Sequence, residues 1–304
     1  MDGNDNIQVL RLVELDHTGN KLVPYTQEFR VHGFDIYWDS LDPTELTFMF
    51  VNHQRTGDGI SIFQHKIGTR FLRHIKTVKS PLLYAANDVV ATSRSTFYAT
   101  NDMRSTNKLM RMIEILFGMP WGHIVYYGHE KMLTTAASGI SYPNGIARSA
   151  DGNTIYVAAS SEPSINIFRP RPDGSLELMG KTVFGNFVPD NISVDTATGQ
   201  LLVSGFLNTF EMFRYNREAL SGSTTARPAS SIRRLRPLPN PSDGFAVENV
   251  LSVGSSLLPS TTMATLQNQG RGVQRILLGS VMADHIAICR TRSQPANNEA
   301  QLAR

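Results

Sequence analysis

Cysteine, long apolar runs and dense charge are all scarce in this sequence. Cys289 is the single cysteine among 304 residues, so no disulfide can form within the chain. No apolar run reaches the roughly 18 residues of a membrane-spanning helix, and no Cys/His spacing is typical of a zinc site. The net charge is +3, and the arginines between residues 227 and 236 lack interleaved aromatics, which argues against a nucleic-acid partner. The remaining composition, with 41% hydrophobic residues, is that of an ordinary globular protein.

A repeat organises the middle of the chain. Asn144 precedes a turn at Gly152 and two apolar strands, and Asn191 precedes a turn at Gly199 in the same way, 47 residues later. Several strands within a period of about 40–50 residues are typical of a propeller blade.

The first position of this repeat, which we call the lead position, recurs along the chain. It falls at His32, Asn87, Asn144 and Asn191, with a fainter copy near residue 262. The innermost strand of each propeller blade lines the central channel. We therefore expect the polar lead residues, with Asp190 beside Asn191, to converge near the propeller axis.

These copies predict an all-β, six-bladed β-propeller whose first blade is incomplete. The other assignments are a propeller domain at 1–290, outer strands of the first blade at 7–15 and 21–27, a strand at 210–214, a long loop at 215–245 and a polar, disordered tail at 291–304.

Residues 107–119 interrupt the strand pattern with apolar residues at helical spacing, and Pro120 ends the run. This pattern predicts one inserted amphipathic helix. Its apolar stripe either packs on the propeller or forms a lid-like, interfacial surface beside the channel mouth.

The asparagine and aspartate oxygens suit a hard cation. Ca²⁺ takes about 6–8 oxygen ligands, including carboxylates and Asn amides. Asn87, Asn144, Asp190 and Asn191 supply four such side chains. The alternative is that they satisfy backbone groups of turns.

Two histidines lie in one predicted blade. His32 starts its first strand and His53 ends its second, and antiparallel pairing brings these positions together. Two adjacent imidazoles can relay a proton and activate water. The alternative is one buried structural histidine and one surface histidine.

Over nearly its whole length the sequence resembles the paraoxonase/arylesterase family of calcium-dependent six-bladed propellers. The segments that carry the resemblance are 31–33, 51–53, 87–90, 97–102, 125–127, 144–146, 151–152 and 190–195. Together they form a specific signal, which none of them gives alone.

The resemblance implies two calcium ions and a hydrolase of lactones and aryl esters. Asn87, Asn144, Asp190 and Asn191 match ligands of the catalytic ion, Asp88 and the backbone carbonyl of Phe34 match ligands of the structural ion, and His32 and His53 match the catalytic histidine pair. It also implies lipid contact through the 107–119 helix and a secreted or membrane-anchored protein. The sequence itself indicates no compartment.

Some positions depart from the family pattern. The family begins its propeller with an adjacent Glu-Asp pair that supplies one ligand to each calcium, and this sequence has no such pair. Family histidines near the pocket fall at Phe206 and Met103, and Cys289 stands where the family has half of a disulfide. We therefore expect an N-terminally shortened member that binds calcium weakly.

Two other functions stay open at this point. The chain could be a non-catalytic propeller that binds a partner or acts as a scaffold, which the missing carboxylates favour and the histidine pair opposes. It could also be a propeller of the gluconolactonase or strictosidine-synthase-like type.

Overall fold

A computed structural model gives the fold of the chain. It describes residues 9–105, 107–208, 211, 214, 218, 228–238, 244–254, 258–268, 273–280, 283 and 285–292. These residues form two compact units, the first up to Gly185 together with Gly244, and the second from Asn186 onward.

The first sheet of the first unit has six strands, in the order β2-β1-β6-β5-β4-β3. They are β1 (Arg11–Leu15), β2 (Leu22–Pro24), β3 (Val31–Trp38), β4 (Glu45–Gln54), β5 (Gly57–Lys66) and β6 (Phe71–Lys79). Strands β3 to β6 are an antiparallel meander, whereas β1 joins β6 in parallel, with Arg11 opposite Phe71.

The prediction of six blades is wrong. The described residues form five sheets, and β1 and β2 extend the first of them. The physical reason is that an isolated two-stranded hairpin cannot bury an apolar face. Beside these strands Tyr25 packs edge-on to Phe63 and Phe29 packs edge-on to Phe50, each at 5.3 Å between ring centroids, which covers part of the first sheet.

Two more four-stranded sheets complete the first unit. The second contains β7 (Ala86–Ala91), β8 (Phe97–Asn101), β9 (Gly122–Tyr127) and β10 (Leu133–Ile140), and the third contains β11 (Pro143–Arg148), β12 (Ile155–Ala159), β13 (Ser164–Pro170) and β14 (Leu176–Val183). Every residue of β7 and β8 is buried. Alternation along β7 explains this burial, because Val89 packs with the first sheet and Val90 with the third.

The second unit has a four-stranded and a three-stranded sheet. They contain β15 (Val188–Val194), β16 (Leu201–Phe206), β17 (Ser230–Pro237) and β18 (Phe245–Val253), then β19 (Met263–Asn268), β20 (Val273–Gly279) and β21 (Ala287–Arg292). Two predictions are wrong here. The third strand of the repeat is β17, which lies inside the predicted 215–245 loop, and Glu211 and Arg214 of the predicted 210–214 strand are helical.

The end of the predicted domain is only partly covered. Strand β21 carries the described chain to Arg292, so residues 293–304 of the predicted tail lie outside the described residues. The domain boundary at residue 290 therefore stays a prediction.

The predicted helix is present as α1 (Lys108–Leu116). Its N-cap is Asn107, whose Oδ1 accepts hydrogen bonds from the backbone N–H groups of Leu109 and Met110 at 2.9 and 3.4 Å. Within the described residues, no helix is long and apolar enough to cross a membrane.

Three of the lead residues occupy equivalent places in their sheets. His32, Asn87 and Asn144 are the second residues of β3, β7 and β11, where the strand register shifts. In β15 the equivalent place belongs to Asp190, and Asn191 follows it; Thr262 directly precedes β19. Within the first unit β3 packs on β7, and β7 packs on β11. The repeat therefore predicted the first strand of each sheet correctly.

Side chains join neighbouring first strands. Asp35 Oδ2 on β3 accepts the backbone N–H of Ala91 on β7 at 2.8 Å, and Asp88 Oδ2 on β7 accepts that of Ile146 on β11 at 3.0 Å. Each carboxylate satisfies a backbone donor that the sheets themselves leave without a strand partner.

We expect Asp35→Ala to lower the free energy of unfolding by about 1–3 kcal/mol, because it leaves the Ala91 N–H unsatisfied. Asp35→Asn keeps an acceptor oxygen and should cost less. Urea denaturation of both variants measures the difference. Equal losses would show that the hydrogen bond to Ala91 is not what the carboxylate contributes.

Candidate active site

His32 and His53 meet at one end of the first sheet. Val31 at the start of β3 is opposite Asn52 near the end of β4, so antiparallel pairing brings these two strand ends, with the histidine next to each of them, to the same end of the sheet. The two imidazole centroids are 5.2 Å apart, and the ring planes are inclined by 57°. The two histidines are thus neighbours, and their catalytic role stays a prediction.

A carboxylate holds the second histidine. Asp58 lies opposite His53 in the β4–β5 hairpin, and its Oδ1 is 2.8 Å from Nδ1 of His53. The other oxygen, Oδ2, accepts the backbone N–H of Ala86 at 3.0 Å. Asp58 therefore connects His53 to the start of β7, where Asn87 lies.

The protonation of the pair follows from its surroundings. Burial lowers the pKa of His32 below its ordinary value, the charge of nearby His53 adds to the decrease, and Asp58 opposes it. His32 is nonetheless one of the exposed residues of β3. His32 is thus mostly neutral at pH 7 and able to accept a proton.

Asp58 is ionised at neutral pH. Burial alone would raise the pKa of Asp58, but the hydrogen bonds from His53 and from the Ala86 N–H outweigh it and bring the pKa below its ordinary value. An ionised carboxylate only accepts hydrogen bonds. His53 therefore carries its proton on Nδ1, which leaves Nε2 as the basic nitrogen.

Asn87 pairs with a buried aspartate. Its Nδ2 donates to Oδ2 of Asp102 at 3.2 Å, and burial raises the pKa of Asp102 to about 6. The Oδ1 atom of Asp102 is buried and accepts no hydrogen bond, while Nη2 of Arg111 on α1 is 3.8 Å away. A buried carboxyl group is thus available next to a predicted calcium ligand.

Asp88 joins three strands. Its Oδ1 accepts the N–H of Val89 at 2.9 Å, and its Oδ2 reaches Ile146 on β11. Gly33 on β3 lies against it, because a Cβ there would be 2.6 Å from the Cα of Asp88. Phe34, whose carbonyl was predicted as a second ligand of the structural ion, directly follows Gly33, so the two predicted residues lie on adjacent strands.

Asn144 is the second residue of the next first strand, β11. Its Nδ2 donates to Oγ of Ser160 at 3.3 Å, and its carbonyl oxygen accepts the hydroxyl of Thr100 at 2.8 Å. The Thr100 hydroxyl also accepts the N–H of Asp88 at 3.0 Å. Thr100 therefore fixes the backbone of Asn144 relative to β7.

Asp190 and Asn191 lie on β15 in the second unit. Asp190 is buried, and Nδ2 of Asn191 donates to the carbonyl oxygen of Thr262 at 2.9 Å. Ser204 also donates to this carbonyl, in the position that Thr100 has beside Asn144. The convergence of Asp190 and Asn191 with Asn87 and Asn144 stays a prediction.

Three of the four predicted ligands of the catalytic calcium are asparagine amides. In the described part of the chain, no group of three or more His, Cys, Asp or Glu side chains could hold a metal ion.

A cleft of about 400 Å³ opens beside Asp58 and is also lined by Lys79, Leu83 and Tyr84, but neither ring of the histidine pair lines it.

A family model described as Arylesterase matches residues 7–286. The chain belongs to the arylesterase family. The resemblance to paraoxonases and arylesterases is thus confirmed, and the chain is a hydrolase of the esterase or lactonase type. This membership argues against a non-catalytic scaffold.

Several named proteins are similar to this arylesterase-family chain. Serum paraoxonase/arylesterase 1 of Rattus norvegicus is 29% identical over 276 residues, which are 91% of this chain and 72% of that protein. Serum paraoxonase/lactonase 3 of Homo sapiens is 30% identical over 253 residues, 83% of this chain and 66% of that protein. A solved gluconolactonase from Xanthomonas campestris covers 80% of this chain and 68% of its own with 14% identity and a TM-score of 0.44, which is too distant to carry an argument.

Helix α1 lies beside the site with its apolar residues outward. Its Arg111 faces Asp102 and donates from Nε to the sulfur of buried Met103 at 2.7 Å, while Leu109 and Leu116 are 61% and 60% exposed. The reading in which the apolar stripe packs on the sheets is therefore wrong. The comparisons lend no support to lipid contact through this helix, which stays a prediction.

Sequence reasoning assigned no role to Asp58 or Asp102. Asp102 ends the segment 97–102 that carries the family resemblance, so its position was a usable signal. Asp58 follows His53 by five residues, and only the hairpin register makes the two residues partners.

Proposed function

We propose that this arylesterase-family hydrolase cleaves aryl esters and lactones in a calcium-dependent reaction in which His32 and His53 activate water. The observation that carries the proposal is the juxtaposition of the two imidazoles, 5.2 Å apart, on β3 and β4, which both pack against β7, the strand of Asn87. The names of the rat and human relatives, an arylesterase and a lactonase, support this substrate class.

Proton transfer can be assigned to the pair. Neutral His32 takes a proton from the attacking water, whose oxygen bonds to the carbonyl carbon of the ester or lactone. Nε2 of His53 receives this proton in turn, and Asp58 stabilises the resulting imidazolium. The proton then returns to the departing alcohol oxygen as the C–O bond breaks, so the products are a carboxylic acid and an alcohol.

The asparagine side chains fit a hard cation. Asn87, Asn144 and Asn191 each donate from Nδ2 to a protein acceptor, which leaves the amide oxygen, the atom that Ca²⁺ binds, directed elsewhere. The buried Oδ1 of Asp102 adds negative charge nearby. When bound by Asn87, Asn144, Asp190 and Asn191, calcium would polarise the substrate carbonyl and stabilise the oxyanion.

A second calcium is proposed at Asp88 and the carbonyl of Phe34. Each oxygen of the Asp88 carboxylate accepts a different backbone N–H, Oδ1 that of Val89 and Oδ2 that of Ile146. A carboxylate oxygen can accept more than one partner. An ion at this point would join β3 to β7, so its role would be to stabilise the fold.

Removal of calcium tests the proposal. We expect a chelator to lower kcat/KM for an aryl acetate and for a δ-lactone at least about tenfold, because the carbonyl loses its Lewis acid, and added Ca²⁺ should restore it. Hydrolysis that is unaffected by the chelator would overturn calcium dependence.

The matched arm of this experiment uses single asparagines. Asn144→Ala should weaken calcium binding, measured by calorimetry, whereas Asn153→Ala, in an exposed turn of the same sheet, should not. Equal calcium affinity in both variants would remove Asn144 from the ligand set.

A further inference from the structure

We propose that Asp58 is a positioning residue for the histidine pair, which holds the ring of His53 with Nδ1–H directed at its carboxylate and Nε2 directed at the proton path. The inference rests on the proposed function, in which His53 relays the proton. It adds a third member to the predicted pair.

The hairpin geometry supports this role. His53 and Asp58 are directly opposite each other near the end of β4 and the start of β5, with only four residues between them in the chain. The Nδ1–Oδ1 distance of 2.8 Å is that of a charge-assisted hydrogen bond. The short hairpin thus presents the carboxylate to one nitrogen of the ring.

Asp58 is itself anchored. A backbone N–H can only donate, so the contact from Ala86 to Oδ2 requires an accepting oxygen and fixes the plane of the carboxylate. Ala86 precedes Asn87 on β7. The carboxylate thereby sets the position of His53 relative to the strand that carries a proposed calcium ligand.

The exposure of the two side chains indicates why a partner is needed. The His53 side chain is 36% exposed, and that of Asp58 is 15% exposed. A half-exposed imidazole without a partner samples several rotamers and both tautomers. The bond to Asp58 selects one ring orientation and one tautomer.

The decisive variant is Asp58→Asn. The asparagine oxygen can still accept the Ala86 N–H, but its NH₂ group then faces Nδ1 of His53, which must become an acceptor and move its proton to Nε2. We expect kcat for the aryl acetate to fall about tenfold to a thousandfold, because the wrong tautomer blocks the relay, with KM and calcium affinity changed less than about threefold. Asp173→Asn, in an exposed turn of the first unit, is the control and should retain full activity.

A spectroscopic measurement separates positioning from mere stability. Nitrogen-15 NMR of the calcium-free protein should show His53 protonated on Nδ1 in the wild type and on Nε2 in Asp58→Asn. Wild-type His53 protonated on Nε2 would overturn the inference even if the variant failed to fold. An unchanged tautomer in a folded variant would do the same.

His53→Gln distinguishes this inference from the proposed function. If His53→Gln abolishes turnover while Asp58→Asn keeps more than about a third of it, the relay stands and the role of Asp58 is wrong. If His53→Gln is fully active, the proposed proton path itself is wrong, and the inference about Asp58 falls with it.

Discussion

Replacing His32 with glutamine should lower kcat for an aryl acetate by about 10²–10⁴-fold, the usual contribution of a general base. The reason is that glutamine has no basic nitrogen, whereas the lowered pKa of His32 keeps its imidazole neutral and ready to accept a proton at pH 7. Steady-state kinetics at saturating calcium measures the loss.

Calcium binding and folding should persist in this variant. His32 donates no ligand in the proposed site, and it is exposed to solvent, so the substitution removes little packing. His129→Gln is the matched control, because His129 is exposed and lies outside the site. Equal turnover in the two variants would remove His32 from the mechanism.

The repeat predicted much of the fold because a polar lead residue and a glycine turn recur in successive sheets. It identified β7, β11 and β15, but it aligned Asn144 with Asn191, whereas the strand registers align Asn144 with Asp190. One hydrogen bond recurs in both units. Thr100 on β8 donates to the Asn144 carbonyl, and Ser204 on β16 donates to that of Thr262, so in each unit the bond joins the second strand of one sheet to the start of the next sheet.

The number of sheets could not be read from the repeat. Strands β1 and β2 have the length and turn of a blade hairpin, so the sequence indicates their presence. The strand with which they pair is decided by tertiary structure. Strand β1 joins the edge of β6 in parallel through backbone hydrogen bonds, which any sequence can form.

The orientation of α1 could not be inferred from the sequence either. The spacing of apolar residues identifies an apolar stripe along the helix, but it does not show which side of the helix faces the protein. Two hydrogen bonds of the buried Glu114 decide the matter, since this residue accepts the N–H groups of Arg104 and Ser105 at 2.9 and 3.0 Å. These bonds turn the polar side of the helix inward.

The candidate site was predictable where residues stand at a repeat position and unpredictable where they depend on register. His32 and His53 mark the ends of paired strands, so their proximity follows from antiparallel pairing. The contact of Asp58 with His53 depends on the register of the β4–β5 hairpin. A shift of this register by one residue would place the Asp58 side chain on the other face of the sheet.

Replacing Gly33 with alanine should destabilise the first unit by about 2–4 kcal/mol and weaken calcium binding with it. A Cβ at this position would lie 2.6 Å from the Asn87 carbonyl oxygen and from the Cα of Asp88, and would also overlap Oδ1 of Asp88. Two of these three atoms are backbone, so no side-chain rotation relieves the overlap. Strand β3 must therefore move away from β7.

The separation of β3 from β7 would affect both the stability of the first unit and the proposed calcium and histidine sites. It would stretch the bond from Asp35 to Ala91, displace Phe34 from Asp88 and shift His32 relative to Asn87. Urea denaturation and calorimetric calcium binding measure the two effects. Gly279→Ala, in β20, is the matched control, because its Cβ would make contacts of 3.7 and 3.9 Å, which are ordinary van der Waals distances. If Gly33→Ala were as stable as Gly279→Ala and bound calcium equally well, β3 and β7 would not pack as closely as the site requires.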